Sequence, residues 1–312
     1  MTPPHQLIEF ATACNAVSSI LLGNIQHLDS VVDSIDSSGK TPRESEALLH
    51  DLFSLNIFPY ANLFLSRETI AGGEVGQELA EVYQHWHFRP DARDVTADHF
   101  GVQFSALEYQ LLTAVEHWRH GDTVKSTSAL QSINEFIQAI LMPALIPFAA
   151  ALSFRPESLA KNLCQILLTL TSELHRLGNP SNSARPLTQI ALPADDASLN
   201  VLILYLLSPA ASGVWISKSE IRDIAGMLDL PCGFSTREDM LTNLFHSAGS
   251  YEQTAKLILA LLEKFKNYQI FYENWRTQCG EPIMDCILGR TASTQTLLQS
   301  LVTKAGSGDL SK

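Results

Sequence analysis

Ten histidines and five cysteines are the side chains in this sequence best suited to metal binding or nucleophilic attack. His85 and His87 are two positions apart, which would point them to different sides of a helix, whereas His117 and His120 are three apart and could share a ligand. No nearby cysteine or carboxylate completes a site for them, and the cysteines have neither zinc nor redox spacing. The sequence also has no phosphate-binding glycine loop and no Gly-x-Ser-x-Gly elbow. We therefore expect no metal, no cofactor and no catalysis. The alternative is an all-α metal protein or enzyme that uses these four histidines.

A second candidate site is the pair Asp98 and His99. We expect Asp98 to be the N-cap of a helix that begins at His99, with its carboxylate accepting the backbone N–H of Phe100 or Gly101. His99 would then be a surface or hinge residue in the first turn. The functional alternative is that the pair grips a peptide beside an aromatic cluster formed by Tyr83, Trp86 and Phe88.

Apolar residues recur every three or four positions along most of the chain, which is the pattern of amphipathic helices. We find no convincing alternating run bounded by turns, so the predicted fold is all-α. The segment rich in Pro, Ser, Asn and Gly at 178–186 is the best linker candidate. We predict a helical bundle over 1–178, a linker over 179–195 and a smaller helical appendage over 196–312. The predicted helices lie near 5–28, 42–55, 58–66, 74–87, 98–120, 125–151, 156–177, 196–207, 218–229, 236–247, 250–276 and 291–304.

The charge balance excludes a general nucleic-acid binder. The formal net charge is −12, so Lys and Arg are too few to neutralise phosphates. Residues 41–120 contain 12 acidic side chains, five arginines and no lysine. This segment is either a solvated surface or a groove that attracts a basic, partly apolar peptide. Four aromatic side chains would supply apolar contacts, although each is individually better explained as core: Tyr60, Phe64, Tyr83 and Trp86.

The expected compartment is the cytoplasm. The N-terminus has no basic residue followed by a long apolar stretch, so no secretory signal is visible. An odd number of scattered cysteines argues for free thiols in a reducing environment. The most apolar window, Ile137 to Leu152, contains two prolines and is too short to span a bilayer.

Two segments resemble the TorD/DmsD/NarJ family of chaperones, which mature molybdenum-containing oxidoreductases. Pro59-Tyr60-Ala61-Asn62-Leu63-Phe64-Leu65 looks like the family's Pro-Tyr-x-Ser-x-Tyr-Leu segment. Asp94 to Phe104 looks like its Glu-x-Pro-x-Asp-His motif followed by Leu-Gly-x-Glu-Leu. Asp98, His99 and Gly101 are retained, whereas Asp94, Thr96 and Gln103 replace the family's Glu, Pro and Glu. As a helical pattern the resemblance covers roughly 5–175. Residues 199–265 resemble an appendage of longer, TorD-like members, whose role cannot be carried over.

The resemblance implies an all-α, non-catalytic chaperone without a cofactor of its own. Its partner would be the apo form of a molybdopterin-containing oxidoreductase subunit, and whether it also binds the twin-arginine signal peptide is left open. No nucleic acid and no stable membrane insertion are expected, and family members occur as monomers and domain-swapped dimers. A scaffold that binds another helical partner is the remaining alternative. The expected client-binding residues are Pro59, Tyr60, Phe64, Tyr83, Trp86, Asp94, Asp98 and His99.

Overall fold

The computed structural model describes residues 3–23, 42–67, 70–91, 95–178, 190–194 and 196–306. The described residues confirm the all-α prediction, since they contain helices and no strand. One isolated antiparallel bridge pairs Tyr60 with His99. The chain divides into two compact units, Met1–Leu187 and Thr188–Lys312. Most of the predicted linker, residues 179–189 and 195, lies outside the described residues.

The described part of the first unit contains eight α-helices and two π-helical turns. The π-helical turns are Asp51–Asn56 and Ile137–Leu141. The α-helices are α1 Pro4–Leu21, α2 Pro42–His50, α3 Asn62–Leu65, α4 Gly73–His85, α5 Phe100–Arg119, α6 Thr123–Phe136, α7 Met142–Ser153 and α8 Ser158–His175.

The core of the first unit forms around α7, the most apolar helix of this unit. Phe148 on α7 has its ring centroid 4.8 Å from that of Phe100, 5.8 Å from Phe64 and 6.1 Å from Phe53. Phe64 lies on the short helix α3, and Phe100 is the first residue of α5. The aromatic contacts of Phe148 therefore fix the start of α5 relative to α3 by burial of large apolar surfaces.

Helices α1 and α5 pack closely at a glycine. The Ser18 hydroxyl donates to the carbonyl oxygen of Gly101 over 2.7 Å. A Cβ on Gly101 would lie 2.7 Å from Cγ of Leu22, so only glycine fits there without a shift of Leu22. The helix predicted over 5–28 ends at Leu21, and residues 24–28 lie outside the described part of the chain.

The apolar window near residue 140 belongs to a longer helical stretch than the sequence suggested. Thr123–Ser153 forms a 31-residue stretch that is long and apolar enough to cross a membrane, but 83% of its most apolar window is buried inside the protein. A buried core helix of a soluble protein passes the same test. The π-helical turn precedes Pro143, whose missing N–H and bulky ring disfavour regular α-helical hydrogen bonding.

The described part of the second unit is also helical. Its helices are α9 Leu199–Leu207, α10 Pro209–Ser212, α11 Lys218–Met227, α12 Arg237–Ser250, α13 Thr254–Cys279 and α14 Glu281–Gly306. The helix predicted over 291–304 thus begins ten residues earlier, with Pro282 at its second position, where proline is tolerated.

A buried non-helical segment before α11 organises the second unit. Tyr268 and Tyr272 on α13 donate their hydroxyl groups to the carbonyl oxygens of Trp215 and Gly213 over 2.9 and 2.6 Å. The guanidinium of Arg237 lies 3.7 Å from the ring centroid of Trp215. These bonds satisfy backbone groups that the segment's burial would otherwise leave unpaired.

The capping-box pattern, a serine followed three residues later by a glutamate, occurs at Ser217–Glu220 and at Ser235–Glu238, and predicts two helix starts in this unit. The one at Ser217 and Glu220 is confirmed, with both reciprocal bonds present. The second, expected to start at Ser235, is shifted by one residue. Thr236 is the N-cap of α12, and its side chain accepts from the backbone N–H of Asp239.

We predict opposite stability effects for the same substitution at two glycines of the second unit. Gly213 has φ of +80°, and an added Cβ would lie 2.5 Å from Oγ1 of Thr291. Gly213→Ala should therefore lower the free energy of unfolding by about 1–3 kcal/mol. Gly226 on α11 has open space around it, so Gly226→Ala should raise that free energy by up to about 1 kcal/mol. Urea unfolding followed by tryptophan fluorescence measures both, and equal effects at the two positions would contradict this account.

Candidate functional site

The carboxylate of Asp98 joins three separate segments of the first unit. It is fully buried. Oδ2 accepts the backbone N–H of Asn62 over 3.2 Å, and Oδ1 accepts the backbone N–H of Gly72 over 2.9 Å. The hydroxyl of Thr96 also donates to Oδ1. Asn62 is the first residue of α3 and Gly72 precedes α4, so one carboxylate binds the N-terminal ends of two helices.

The prediction that Asp98 caps the helix after it is therefore wrong. The N-cap of α5 is His99, whose Nδ1 accepts the backbone N–H of Gly101 over 3.1 Å. The backbone N–H of Phe100 donates to the carbonyl oxygen of Pro59 over 2.8 Å. The carboxylate of Asp98 instead turns toward the starts of α3 and α4, where backbone N–H groups that have no partner within their helix favour a negative charge.

The backbone of Asp98 and Ala97 is held as firmly as the side chain. The carbonyl oxygen of Asp98 accepts from the backbone N–H of Ala61 and from Nε2 of Gln103, each over 2.9 Å. The hydroxyl of Tyr83 donates to the carbonyl oxygen of Ala97 over 2.9 Å. Burial, and secondarily the charge of Asp98, raise the pKa of Tyr83 well above its ordinary value, so this hydroxyl stays a donor.

Asn62, which stands in the Pro59–Leu65 motif segment but is not among the predicted site residues, also belongs to this site. Its side-chain amide donates to the carbonyl oxygen of Ile70 over 2.8 Å, and its Oδ1 lies 3.5 Å from the donating backbone N–H of Val75. A Cβ on Gly73, which has φ of +51°, would lie 2.6 Å from Nδ2 of Asn62. The available signal was a polar residue inside the apolar run 61–65, followed by a Gly-Gly pair.

His99 pairs with Tyr60. The two residues form the isolated bridge, and their rings meet edge to face with centroids 4.8 Å apart. Burial lowers the pKa of His99 to about 4, so the ring is neutral at neutral pH. Because Nδ1 accepts a hydrogen bond, the proton of the neutral ring resides on Nε2.

Three predicted contact residues lie in the core. Phe64, Tyr83 and Trp86 are buried at 0%, 2% and 6% exposure, and Trp86 packs on Phe136 with centroids 5.2 Å apart. Pro59 is buried and Tyr60 is half-buried. Contact of any of these residues with a client stays a prediction, and Asp94 lies outside the described residues.

Two cavities lie beside the residues around Asp98 and His99, and Leu22 lines both of them. The first, of about 320 Å³, lies between the end of α1, α2 and the bridged pair, and its walls include Glu46, Phe53, Tyr60 and His99. The second, of about 500 Å³, lies between α1, α5 and the loop after α4. Its lining includes Phe88, Asp91, Val102, Glu108 and Tyr109. Both cavities combine apolar walls with acidic side chains.

The four histidines of the alternative hypothesis do not form a metal cluster in the described residues. Within those residues, no group of three or more His, Cys, Asp or Glu could hold a metal ion. His85 and His87 lie at the end of α4, and His117 and His120 lie at the end of α5. Nδ1 of His120 is 2.9 Å from the carbonyl oxygen of Glu116. The structure therefore gives these residues no shared site.

We predict that Asp98→Asn lowers the free energy of unfolding by about 1–3 kcal/mol, because a buried carboxylate with several donors becomes an amide that repels one of them. Asp122→Asn is the matched control. Asp122 is the N-cap of α6 and accepts the backbone N–H of Lys125, a role that an amide serves equally well, and the exposed ion pair with Lys125 that the change removes contributes little to stability. Chemical denaturation compares the two variants, and an equal, small change in both would refute the proposed importance of Asp98.

We also predict a pH dependence that is specific to His99. Its pKa of about 4 in the folded protein lies below the unfolded value of 6.5, so the unfolded chain binds more protons between these values. The contribution of His99 to stability is therefore complete above pH 6.5 and is lost as the pH falls toward 4. The variant His99→Asn should show a flatter decline of urea midpoint from pH 7.5 to 4.5. Parallel curves for the two proteins would contradict the neutral, buried state of His99.

Comparison with known families gives one match. Residues 27–150 match the family described as nitrate reductase delta subunit. Neither the curated proteins nor the solved structures give a match to this chain. The matched region covers less than half of the chain but contains the whole Asp98 cluster and both motif segments of the resemblance. This region of the chain is therefore similar to the nitrate reductase delta subunit family, the NarJ/TorD-type family of molybdoenzyme maturation chaperones.

Proposed function

We propose that this protein is a cytoplasmic chaperone that binds the apo form of a molybdopterin-containing oxidoreductase subunit and holds it for cofactor insertion. The observation that supports this most directly is the cavity lined by Pro59, Tyr60 and His99, three residues of the family motifs. The matched family is one of chaperones and not of catalysts, and the proposed role makes or breaks no bond in the client.

The two cavities suit an extended client segment. They share Leu22 as a wall residue, and we propose that one client segment spans both. Their apolar walls would bury apolar client side chains, which is the main source of affinity for a peptide in a groove. His99 would add a directional contact, because it lines the first cavity and its Nε2 carries a proton that it can donate.

The charges around the cavities favour a basic client segment. Glu46 lies in the wall of the first cavity, and Asp91 and Glu108 line the second; among the described residues that line the two cavities, Arg89 is the one arginine or lysine. Acidic walls attract a basic segment and speed its association at low salt. A twin-arginine signal peptide, two arginines followed by an apolar stretch, has this chemistry, and we propose it as one ligand.

The bridged pair of Tyr60 and His99 is the part of the family motifs that we expect to contact the client. Asp98 is inaccessible, so its role is to position the segments that carry Tyr60 and His99. His99 and Tyr60 are the motif side chains that line the cavity and can touch a client. Tyr60, Pro59 and His99 would thus form the contact surface, and Phe64, Tyr83 and Trp86 the packed layer behind it.

We predict that His99→Asn weakens client binding about tenfold while leaving the fold intact, since a lost contact of this kind is worth on the order of 1.4 kcal/mol. Asparagine preserves the N-cap acceptor for Gly101 but removes the ring from the cavity wall. His99→Ala is a poorer probe because it also removes the cap. The measurement is isothermal titration with the apo catalytic subunit or a synthetic signal peptide.

The client would be identified with the same variant. Pull-down from the native host with wild-type bait, followed by mass spectrometry, should recover a molybdopterin oxidoreductase subunit, and the His99→Asn bait should recover less of it. His120→Asn, an exposed histidine at a helix end far from the motif in sequence, is the control and should behave as wild type. Equal recovery by all three baits would sink the assignment of His99, and absence of any such enzyme would sink the proposed function.

A further inference from the structure

The loop between α11 and α12 presents an aromatic side chain to solvent. The side chain of Phe234 is 81% exposed, the highest value among the large apolar residues in the described part of the chain. Single exposed apolar side chains are common on protein surfaces and need no explanation by themselves. The significance of Phe234 therefore depends on how its loop is held and on the charges beside its ring.

Hydrogen bonds fix this loop on both sides of Phe234. Before it, the hydroxyl of Ser247 on α12 donates to the carbonyl oxygen of Pro231 over 2.8 Å. After it, the hydroxyl of Ser235 donates to the carboxylate of Asp239 over 2.6 Å. A binding residue on a fixed loop loses little conformational freedom when a partner arrives, so Phe234 is preorganised for contact.

A glycine directs neighbouring side chains to opposite sides of the loop. Cys232 is buried and Phe234 is exposed, with Gly233 between them. The φ angle of Gly233 is +73°, a left-handed conformation that glycine adopts at little cost. The loop thus uses Cys232 as its attachment to the core and points Phe234 outward.

Two cations of α11 lie beside the ring of Phe234. Nζ of Lys218 is 6.0 Å and Cζ of Arg222 is 5.6 Å from the ring centroid. The two residues are one helical turn apart, so they share a face of α11. Attraction between each cation and the ring steadies the ring against the helix while most of its surface stays exposed. We call Lys218, Arg222 and Phe234 the Phe234 patch.

The cations of the Phe234 patch have no carboxylate partner within the described residues. Glu220 lies on the same helix, but its carboxylate accepts the backbone N–H of Ser217 and pairs with Lys264. Asp223 follows Arg222 directly and so points about 100° away from it around the helix. Three other cations of the unit do lie beside carboxylates: Lys264 with Glu220, Lys266 with Glu263 and Arg276 with Asp285. The patch can therefore offer two positive charges to a partner.

The composition of the patch selects the class of partner. Arginine and aromatic side chains are enriched among the residues that contribute most to protein–protein binding. Two cations are too few for a nucleic-acid site in a chain with a net charge of −12, because affinity for a phosphate backbone requires several. Charge complementarity calls instead for carboxylates, and the exposed ring calls for an apolar side chain.

We propose that the Phe234 patch docks a short acidic segment of a partner protein. Carboxylates of that segment would pair with Lys218 and Arg222, and an apolar side chain between them would cover the ring of Phe234. A patch of this size supports a weak, reversible association. The inference does not depend on the proposed chaperone function, because it rests on the second unit alone.

The test measures binding of an acidic peptide to the full chain by fluorescence anisotropy. The probe is a short, labelled synthetic peptide in which glutamates flank a leucine and a tryptophan. We expect Phe234→Ala to weaken its binding about tenfold, because the apolar contact is lost, and Arg222→Gln about fivefold, because one of two charge partners is lost. Binding should also weaken as the salt concentration rises.

Tyr251→Ala and Lys256→Gln are the matched controls. Tyr251 is 62% exposed and Lys256 is also exposed in the same unit, and in the described residues neither takes part in a contact between a cation and a ring. Each control should change the affinity by less than about twofold. All four side chains are exposed, so we expect every variant to fold, and circular dichroism checks this.

Three results would overturn the proposal directly. They are no binding of the acidic peptide, equal binding of a peptide with lysines in place of the glutamates, and equal effects of the test and control variants. Tighter binding of a single-stranded oligonucleotide would overturn it in favour of nucleic acid. Concentration-dependent dimerisation in sedimentation velocity that Phe234→Ala abolishes would overturn it in favour of a second copy of this chain.

Discussion

A single buried carboxylate, that of Asp98, determines how the candidate site is assembled. A negative charge without water is stable only when several donors surround it, and here two backbone N–H groups at helix starts and one hydroxyl fulfil that requirement. The hydrogen bonds to this carboxylate fix the positions of α3, of the glycine turn before α4 and of the residues directly before α5. The bridge between Tyr60 and His99, and hence the wall of the first cavity, follows from that placement.

The second unit uses a different solution to the same problem of buried polar groups. There the polar groups are main-chain carbonyls of an irregular segment, and tyrosine hydroxyls from α13 satisfy them. Burial raises the pKa of both tyrosines well above the ordinary value, so both remain protonated donors. Such a segment holds its shape without a helix or a strand, because side-chain hydroxyl groups bind the carbonyl oxygens that a helix or a strand would otherwise pair.

The fold was predictable to the extent that it depends on periodic apolar residues. The helices around α1, α5 and α8 follow from residues spaced by three and four, and the all-α class follows from the same pattern. Helix ends were less predictable. His99 caps α5 in place of Asp98, and α14 begins before the position that its apolar pattern indicated. In the first case Asp98 bonds to distant backbone groups and so does not cap α5, and in the second a proline in the first turn is compatible with the earlier start.

The sequence predicted which residues of the candidate site lie close together, but not which atoms bond to which. Pro59, Tyr60, Asp98 and His99 do come together, as the motif resemblance implied. The partners of Asp98 are backbone N–H groups of residues 62 and 72, however, and a backbone donor has no signature in sequence. Whether Phe64, Tyr83 and Trp86 would be core or surface depends on which helix face α7 and α6 cover, and that is decided by tertiary packing.

The spacing of the partners of Asp98 along the chain has a consequence for biosynthesis. Asn62 and Gly72 precede Asp98 by 36 and 26 positions, so the carboxylate that fixes α3 and the turn before α4 is translated after both. Until residue 98 has left the ribosome, these helix ends have no anion to order them, and closure of the intervening loop depends on its arrival. The nascent chain therefore cannot assemble its candidate site before residue 98 emerges, and the core helix α7, which packs on the start of α5, is translated later still.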